Sequence, residues 1–482
     1  MPLADSELRR LAAELLVLRA SGTLSDDQRR YPRWELPNAS LQRLLAEGVG
    51  GVILLGGSAA EVSLRTRQLR SWAQQPLLLC ADVEEGVGQR FEGASWLAPP
   101  LATGRLHGRD PRRALALAEH YGRCTAREAR SVGLNWVLGP VADVNNNPAN
   151  PVINVRAWGE DPDTVAALTT AFLQGAQAEG VLCCAKHFPG HGDTDQDSHL
   201  ELPCLNHDRH RLEAVELAPF RALMAAGVDA VMTAHLLLPA LDAARPATLS
   251  QAVLTGLLRR ELGFDGLVVT DALVMEGIAG HWSAGEAAVL ALEAGADLVL
   301  MPADAEQALE AIVAALRSGR LSVEALLASR QRRRQALAAL PAPTSGADAG
   351  APLGALSNGP LLEDRALARS LVEAGLVRQG PRRPLQGLQQ LVRIDPHRGR
   401  PARLAHHRDR REQPVALERL GGRTAGLGAA RTGTRSAGAG CARQSLPRGD
   451  GPGGAMAGGD PAAAGGWAAG GPGGAGQPLP VG

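Results

Sequence analysis

The segment KHFPGHGDTDQDSHLELP, residues 186–203, contains three histidines and three aspartates interrupted by Pro189, Gly190 and Gly192. It is too polar for a hydrophobic core and too rich in glycine for regular secondary structure. We therefore predict a functional loop that follows a strand.

Two kinds of chemistry suit the side chains of this loop. In the first, imidazole and carboxylate groups bind a divalent metal ion, with the candidate ligands His187, His191, Asp193 and His199. In the second, Asp197 orients and charges His199, which then moves protons as a general acid and base. The spacing does not decide between them, and the simple metal motif H-E-x-x-H is absent.

Other ionisable residues also close apolar runs of the sequence; they are Asp82, Asp143, Lys186, His187, His235 and Asp271. Asp271 ends the buried run of GLVVTDALVMEGI, where a rigid strand end would hold a carboxylate well enough to attack an anomeric carbon. The alternative is that Asp271 caps the following helix. Lys186 is the only lysine in the chain, whereas arginine is abundant. A position that stays lysine here fits a need for a compact ammonium group, although chance also explains it.

Eight apolar runs alternate with helical patterns, which is typical of a parallel sheet built from repeated βα units. The runs cover residues 15–22, 50–56, 76–84, 134–144, 181–188, 229–239, 266–273 and 297–302. Eight runs in one domain favour a closed (β/α)8 TIM-type barrel over an open sheet. In such a barrel the active site is assembled at the carboxyl ends of the strands, so the ionisable residues would converge on one rim.

Composition and charge narrow the possible partners. The formal net charge is zero and the isoelectric point is about 7.2, so we expect a small neutral ligand and neither nucleic acid nor a membrane surface. No apolar run is long enough to span a membrane, and no signal peptide is evident. The six cysteines form no C-x-x-C pair, which suits a reducing compartment. We therefore expect a cytoplasmic protein.

The sequence changes character after residue 340. We divide the chain into a catalytic barrel (1–340), a linker (341–360), a remnant of a second α/β domain (361–396) and a low-complexity tail (397–482). The tail is rich in Arg, Gly, Ala and Pro and has too few apolar residues to offset its chain entropy. We expect it to be disordered, and the abrupt switch near Pro396 suggests a frameshifted reading of the gene.

Several segments in consistent order resemble glycoside hydrolase family 3, in its bacterial β-N-acetylglucosaminidase branch. The resemblance covers most of residues 1–340, and its most specific part is the K-H-F-P-G-H-G-D-T loop with its D-S-H. The other segments are ADVEEGVGQRF (81–91), GLNWVLGPVADVNNNP (133–148), INVRAWGEDP (153–162), VMTAHLLLP (231–239) and VVTDALVMEGI (268–278).

The resemblance implies a function and a set of site residues. Asp271 would be the nucleophile, and His199 with Asp197 would replace the usual acid/base carboxylate. The residues that would hold the terminal sugar are Asp82, Arg90, Arg156, Lys186 and His187. Asp143, Asn145 and His191 would support the site, and no cofactor or metal is expected. The implied activity is retaining hydrolysis of terminal β-linked N-acetylglucosamine, as in a beta-N-acetylhexosaminidase of peptidoglycan recycling.

One segment departs from the family pattern. The acid-rich segment that commonly reads D-Q-E-G-G is D-V-E-E-G from Asp82 to Gly86. Asp82 and Arg90 keep their spacing, so we expect sugar binding to persist in a loop of different shape.

Three other functions stay open at this point. A β-glycoside phosphorylase on the same fold is one, because a histidine acid/base leaves the pocket less anionic and able to admit phosphate. A metal-dependent hydrolase that uses the loop of residues 186–203 is the second. The third is a sugar-binding protein that has lost catalysis.

Overall fold

The computed structural model describes residues 3–198, 200–341 and 362–375. Eight parallel strands follow one another around the sheet in the order β7-β6-β5-β4-β3-β2-β1-β8. A parallel bridge between Val269 and Leu298 joins the two end strands, so the strands form a barrel, and the predicted fold is confirmed. The strands are β1 Leu16–Ser21, β2 Gly51–Leu55, β3 Leu78–Ala81, β4 Trp136–Val137, β5 Leu182–Phe188, β6 Ala230–Thr233, β7 Leu267–Val269 and β8 Val299–Leu300.

The strands are buried on both faces. Val17 and Trp136 point into the barrel and pack in one interior cluster, whereas their neighbours Leu18 and Val137 pack in the larger cluster that includes the surrounding helices. Burial on both faces is the normal environment of a parallel sheet and requires nearly continuous apolar sequence.

Helices cover the outside of the barrel, and their ends carry the expected capping groups. Asp110 and Asp161 accept hydrogen bonds from the backbone N–H groups of Arg113 and Thr164 at 3.1 and 2.9 Å, which is the usual role of an N-cap residue. The longer helices of the barrel are Asp5–Glu14, Asn38–Glu47, Ala59–Trp72, Leu101–His107, Pro111–Ser131, Pro162–Ala178, Leu217–Ala225, Ala252–Glu261, Ala284–Ala294, Ala305–Arg317 and Val323–Ala339. Among the described helices none is both long and apolar enough to cross a bilayer.

A further helix, Leu362–Gly375, packs on the helices Leu101–His107 and Pro111–Ser131. Its residues Leu367 and Leu371 are buried. The predicted linker, apart from Pro341, and everything after residue 375 lie outside the described residues, as does Leu361.

Candidate active site

A buried network of ion pairs lies at the carboxyl ends of β3 and β5. The ammonium of Lys186 contacts Asp82 Oδ1 at 2.5 Å and Glu84 Oε1 at 2.6 Å. Arg156 donates from Nε and Nη2 to the two oxygens of Glu84 at 2.7 and 2.8 Å. Lys186 has no exposed surface, and the two acids are 3 % and 5 % exposed. Two carboxylates and two cations thus balance one another, with only Arg156 of the four partly exposed.

The network fixes the charges of its members. Burial alone would raise the pKa of Glu84, but the nearby Arg156 and Lys186 lower it well below its ordinary value. Burial would lower the pKa of Lys186, but Asp82 and Glu84 outweigh it and raise the pKa above its ordinary value. These groups are therefore charged at neutral pH, and charged donors and acceptors form the stronger hydrogen bonds to a hydroxyl group.

Arg90 completes this side of the site. Its Nε donates to the backbone carbonyl of Asp82 at 2.9 Å. Because this contact uses the backbone of Asp82, the carboxylate of that residue stays directed at Lys186. The structure therefore brings four of the predicted sugar-binding residues together, namely Asp82, Arg90, Arg156 and Lys186.

Asp143, in the loop after β4, holds two histidines of the 186–203 loop. Its Oδ2 lies 2.7 Å from Nδ1 of His187, and its Oδ1 accepts the backbone N–H of His191 at 2.7 Å. Burial alone would raise the pKa of Asp143, but His187 and His191 lower it below its ordinary value. Since the ionised carboxylate only accepts hydrogen bonds, Nδ1 of His187 carries a hydrogen, and this contact fixes the orientation of the ring.

The ring of His191 is enclosed by its own loop. Nε2 lies 3.0 Å from Ser198 Oγ and Nδ1 lies 2.9 Å from Thr194 Oγ1. Burial lowers the pKa of His191 to about 4, so the ring is neutral at physiological pH. The side chain of Asn150 donates to the carbonyls of His191 and Gly192 at 2.8 and 3.0 Å. His191 therefore stabilises the loop through contacts with Thr194 and Ser198.

Asp271 lies two residues after the end of β7 and is 6 % exposed. Its Oδ1 accepts a hydrogen bond from the backbone N–H of Ala272 at 2.7 Å. The backbone carbonyl of Ala272 lies 3.0 Å from Nε2 of the buried His235. The next helix begins only at Glu276, with Met275 at the N-cap position. The alternative that Asp271 caps this helix is therefore wrong.

The segment that carries the predicted acid/base pair touches the segment that follows Asp271. The carbonyl of Ser198 accepts a hydrogen bond from the backbone N–H of Gly277 at 3.4 Å. Asp197, which is half-buried, precedes Ser198. His199, the predicted proton donor, lies outside the described residues. The loop after β5 and the turn after β7 therefore meet at the carboxyl ends of the strands.

Two charged residues of this rim were missed in the sequence. Glu84 connects Lys186 to Arg156, and its position two residues after Asp82 is a signal that could have identified it. Arg19 lies within β1 and is 4 % exposed, and it interacts electrostatically with Asp82. An arginine inside an apolar run was the available signal.

The predicted metal ligands do not form a metal-binding group among the residues that the structure describes. Three groups of potential ligands have their donor atoms within 4.8 Å of one another, and none of them contains His187 or His191. Asp193 belongs to one group with His207 and Glu216, but Arg211 already contacts both carboxylates there, at 3.1 and 2.9 Å.

The fold is that of a (β/α)8-barrel enzyme, and the candidate site residues follow its strands, where such enzymes carry their active sites. Residues 13–336 match the glycosyl hydrolase family 3 N terminal domain, and the chain belongs to this family. The predicted family is therefore confirmed.

Individual relatives agree with the predicted branch of the family. The chain is 37 % identical over 315 residues to beta-hexosaminidase A of Pseudoalteromonas piscicida, an alignment that covers 59 % of this chain and 52 % of the relative. It is 40 % identical over 275 residues to a beta-hexosaminidase of Stenotrophomonas maltophilia (strain R551-3), covering 55 % of this chain and 80 % of the relative. The chain thus spans about half of the first relative and four fifths of the second.

Solved structures show the same similarity. A family 3 beta-N-acetylglucosaminidase from Paenibacillus sp. str. FPU-7 superimposes with a TM-score of 0.66 at 36 % identity, covering 79 % of this chain and 71 % of that structure. A structure named beta-glucoside phosphorylase BglX superimposes with the same TM-score at 25 % identity, covering 77 % and 64 %.

Proposed function

We propose that the chain is a retaining exo-glycosidase that removes terminal β-linked N-acetylglucosamine. The observation that carries the proposal is the contact between Ser198 and Gly277, because Ser198 adjoins the proposed acid/base pair and Gly277 follows the proposed nucleophile Asp271 in the turn after β7. The names of the relatives support the sugar specificity.

The proposed reaction has two displacements at one carbon. Asp271 attacks the anomeric carbon and forms a glycosyl ester, while His199 donates a proton to the departing oxygen. Water then attacks the same carbon, His199 takes its proton, and the carboxylate of Asp271 leaves. Two inversions give net retention. In this proposal Asp197 is the partner that assists His199 in proton transfer.

The sugar would be held by the groups of the ion-pair network. Asp82 accepts and Lys186, Arg90 and Arg156 donate hydrogen bonds to its hydroxyls, and His187 is oriented for the same task by Asp143. Because the charged partners are already desolvated and paired, they need little rearrangement when the substrate enters.

A panel of nitrophenyl glycosides tests the activity and the sugar. We expect hydrolysis of the N-acetyl-β-glucosaminide, much slower hydrolysis of the β-glucoside, and no turnover by Asp271→Ala. Asp242→Ala, a change in the loop after β6, is the control for general effects of removing a carboxylate. Wild-type protein that cleaves no β-glycoside in the panel would contradict the proposal and favour the sugar-binding alternative.

The proton-transfer role of His199 has its own test. His199→Ala should slow cleavage by about a hundredfold or more for poor leaving groups, the range typical of a lost general acid. Activated aryl groups, which need no proton to depart, should lose least in the glycosylation step. Equal losses across a series of leaving groups would exclude this role.

Phosphorolysis is the second candidate, favoured by the similarity to the structure named beta-glucoside phosphorylase. Turnover in phosphate buffer separates the two reactions, since hydrolysis yields free sugar and phosphorolysis yields the sugar 1-phosphate. We expect free sugar as the main product.

We further propose that the natural substrates are peptidoglycan fragments in the cytoplasm. The five cysteines that the structure describes are free thiols, and thiols persist in a reducing compartment. Cell fractionation tests the location, and release of N-acetylglucosamine from purified cell-wall fragments tests the substrate. Protein recovered outside the cytoplasm, or intact fragments after incubation, would contradict these two proposals respectively.

A further inference from the structure

Asn150, in the loop after β4, uses both ends of its side-chain amide. The residue is 2 % exposed. Its Nδ2 donates to the backbone carbonyls of His191 and Gly192 at 2.8 and 3.0 Å. Its Oδ1 accepts hydrogen bonds from the backbone N–H groups of Val152 and Ile153 at 2.9 and 2.7 Å. The amide thus joins two segments whose residues lie 41 positions apart in the sequence.

The acceptor end of Asn150 shapes the turn that carries Arg156. The backbone N–H of Arg156 donates to the carbonyl of Ile153 at 2.9 Å, and its Nη1 donates to the carbonyl of Val152 at 3.2 Å. Val152 and Ile153 are the two residues whose N–H groups Asn150 accepts. The guanidinium also pairs with Glu84 through contacts that do not involve Asn150, so it has an anchor of its own.

The donor end of Asn150 holds the first part of the 186–203 loop. One carbonyl that it binds belongs to His191, whose ring lies 2.9 Å from Thr194 Oγ1 and 3.0 Å from Ser198 Oγ. Ser198 follows Asp197 and precedes the proposed proton donor in the sequence. Direct contacts therefore connect Asn150, through His191, to the residue in the middle of the proposed acid/base pair.

A carboxamide is needed for these four contacts, because it has two donor hydrogens at one end and an acceptor oxygen at the other. An ionised aspartate has acceptors alone, so it would keep the N–H groups of the turn and repel the carbonyls of the loop. An alanine would make neither set of contacts. The two changes therefore remove different parts of the connection.

We propose that Asn150 is a positioning residue that holds the acid/base pair in place relative to the bound sugar. The inference rests on the proposed glycosidase function and adds a residue that acts through its neighbours. Without the donor end the loop of residues 186–203 can shift, and a displacement of about 1 Å can slow a reaction about a hundredfold. The sugar-binding cations keep their own ion pairs, so the effect falls on proton donation rather than on sugar binding.

The test measures kcat/KM of Asn150→Asp for aryl N-acetyl-β-glucosaminides whose leaving phenols differ in acidity. This parameter reports the steps up to departure of the phenol, and phenol needs a proton to depart whereas dinitrophenol does not. We expect a loss of about tenfold or more for the phenyl glycoside and of less than about threefold for the dinitrophenyl glycoside. Inhibition by N-acetylglucosamine should stay within about twofold of wild type, because the residues that bind the sugar are unchanged.

A variant that merely contains less folded protein would lose the same factor on both glycosides. The ratio of the two values, measured in one sample, does not depend on the folded fraction and therefore decides the question for a partly folded variant too. Asn150→Ala adds no buried charge and gives the same ratio test if Asn150→Asp does not fold. Asn147→Ala is the matched control and should change neither value, because Asn147 Oδ1 accepts the backbone N–H of Ala149 within the same loop.

The His199→Ala background shows whether Asn150 acts through the proton donor. There Asn150→Asp should cause little further loss for the phenyl glycoside, because the group that it positions is already absent. Equal losses across the series, no loss at all, or an undiminished loss in the His199→Ala background would overturn the inference about Asn150. Wild-type protein that cleaves none of the aryl glycosides would instead overturn the proposed function.

Discussion

Lys186 is the residue on which the charges of the sugar-binding network converge. Its ammonium lies within 2.6 Å of carboxylate oxygens of both Asp82 and Glu84. Without it, the two buried carboxylates would lose the one cation that contacts both of them. A guanidinium is planar and larger than an ammonium, so arginine does not fit the same position between two acids.

Lys186→Ala should raise KM more than it lowers kcat, because the proposed role of the lysine is to hold the sugar. It should also lower the free energy of unfolding by about 3–5 kcal/mol, the usual cost of removing one partner of a buried ion pair. Steady-state kinetics and urea unfolding measure the two effects. Lys186→Arg should fail to restore KM; a variant with unchanged KM would contradict the binding role.

The sequence predicted most of the individual residues of this network but not their connections. Asp82 and Lys186 were identified because each ends an apolar run, and both lie where that pattern placed them. Glu84 was missed because its function depends on Arg156, which is 72 positions away in the sequence. The pairing with Arg156 is a property of the folded barrel, so the only local signal for Glu84 was its position two residues after Asp82.

The loop after β5 is the element on which the proposed chemistry depends. It is fixed at one end by Asp143 and Asn150 and along its length by the ring of His191, which bridges Thr194 and Ser198. A Cβ atom at residue 192 would lie 1.8 Å from the carbonyl oxygen of Val144, so glycine is required for this close approach. These contacts hold the described part of the loop against the barrel.

Protonation of His191 should loosen this element. Its pKa is about 4 in the folded chain and 6.5 ordinarily, so the unfolded chain binds the proton more readily in between. Stability is therefore lost as the pH falls from about 6.5 to about 4, by up to roughly 1.4 kcal/mol per pH unit. The pKa of Asp143 is lowered from an ordinary 3.8. Protonation of Asp143 therefore reduces the stability further only at pH values below this range.

Urea unfolding at about pH 7 and about pH 5 measures the effect. His191→Gln removes the titrating group and should show a smaller loss of stability between the two pH values than wild-type protein. If the loss is the same in both proteins, His191 is not the group responsible.

The elements themselves were predictable because strands buried on both faces need continuous apolar sequence. The lengths of the strands could not be predicted in the same way. The run of residues 134–144 yields only the two-residue strand β4, because the chain then turns at the barrel mouth, where Ala142 bonds to the carbonyl of Lys186 at 2.7 Å. Apolar residues in that part of the run bury the base of the site rather than extend the sheet.

At the scale of the whole molecule, the helix Leu362–Gly375 shows how residues that follow the barrel in the sequence pack against the barrel. The sequence analysis assigned residues 361–396, which include this helix, to a remnant of a second domain. In the structure Asp364 is 3 % exposed and accepts hydrogen bonds from Arg127 at 2.6 and 2.8 Å. The two residues are 237 positions apart, which no local pattern reports.

Arg127→Ala should release this helix without unfolding the barrel, because it leaves the buried carboxylate of Asp364 without its cation. Hydrogen exchange should rise in residues 362–375, while hydrolysis of the aryl substrate stays within about twofold. Arg113→Ala is the matched control: its partner Glu373 is more than half exposed at 3.6 Å, and such surface pairs contribute about 0–1 kcal/mol. Equal exchange in the two variants would contradict the prediction.

Because Lys186 is the only lysine in the chain, proteolysis at this residue can report on unfolding of the barrel. A protease that cleaves only after lysine has a single target among the 482 residues, and that target is completely enclosed. Cleavage into two fragments requires the strand around residue 186 to open. The rate of digestion under native conditions therefore reports on opening of the barrel core and does not depend on fraying of the termini or surface loops. Sugars that bind in the pocket should slow this cleavage. The amount of intact chain on a gel then measures sugar binding without a label.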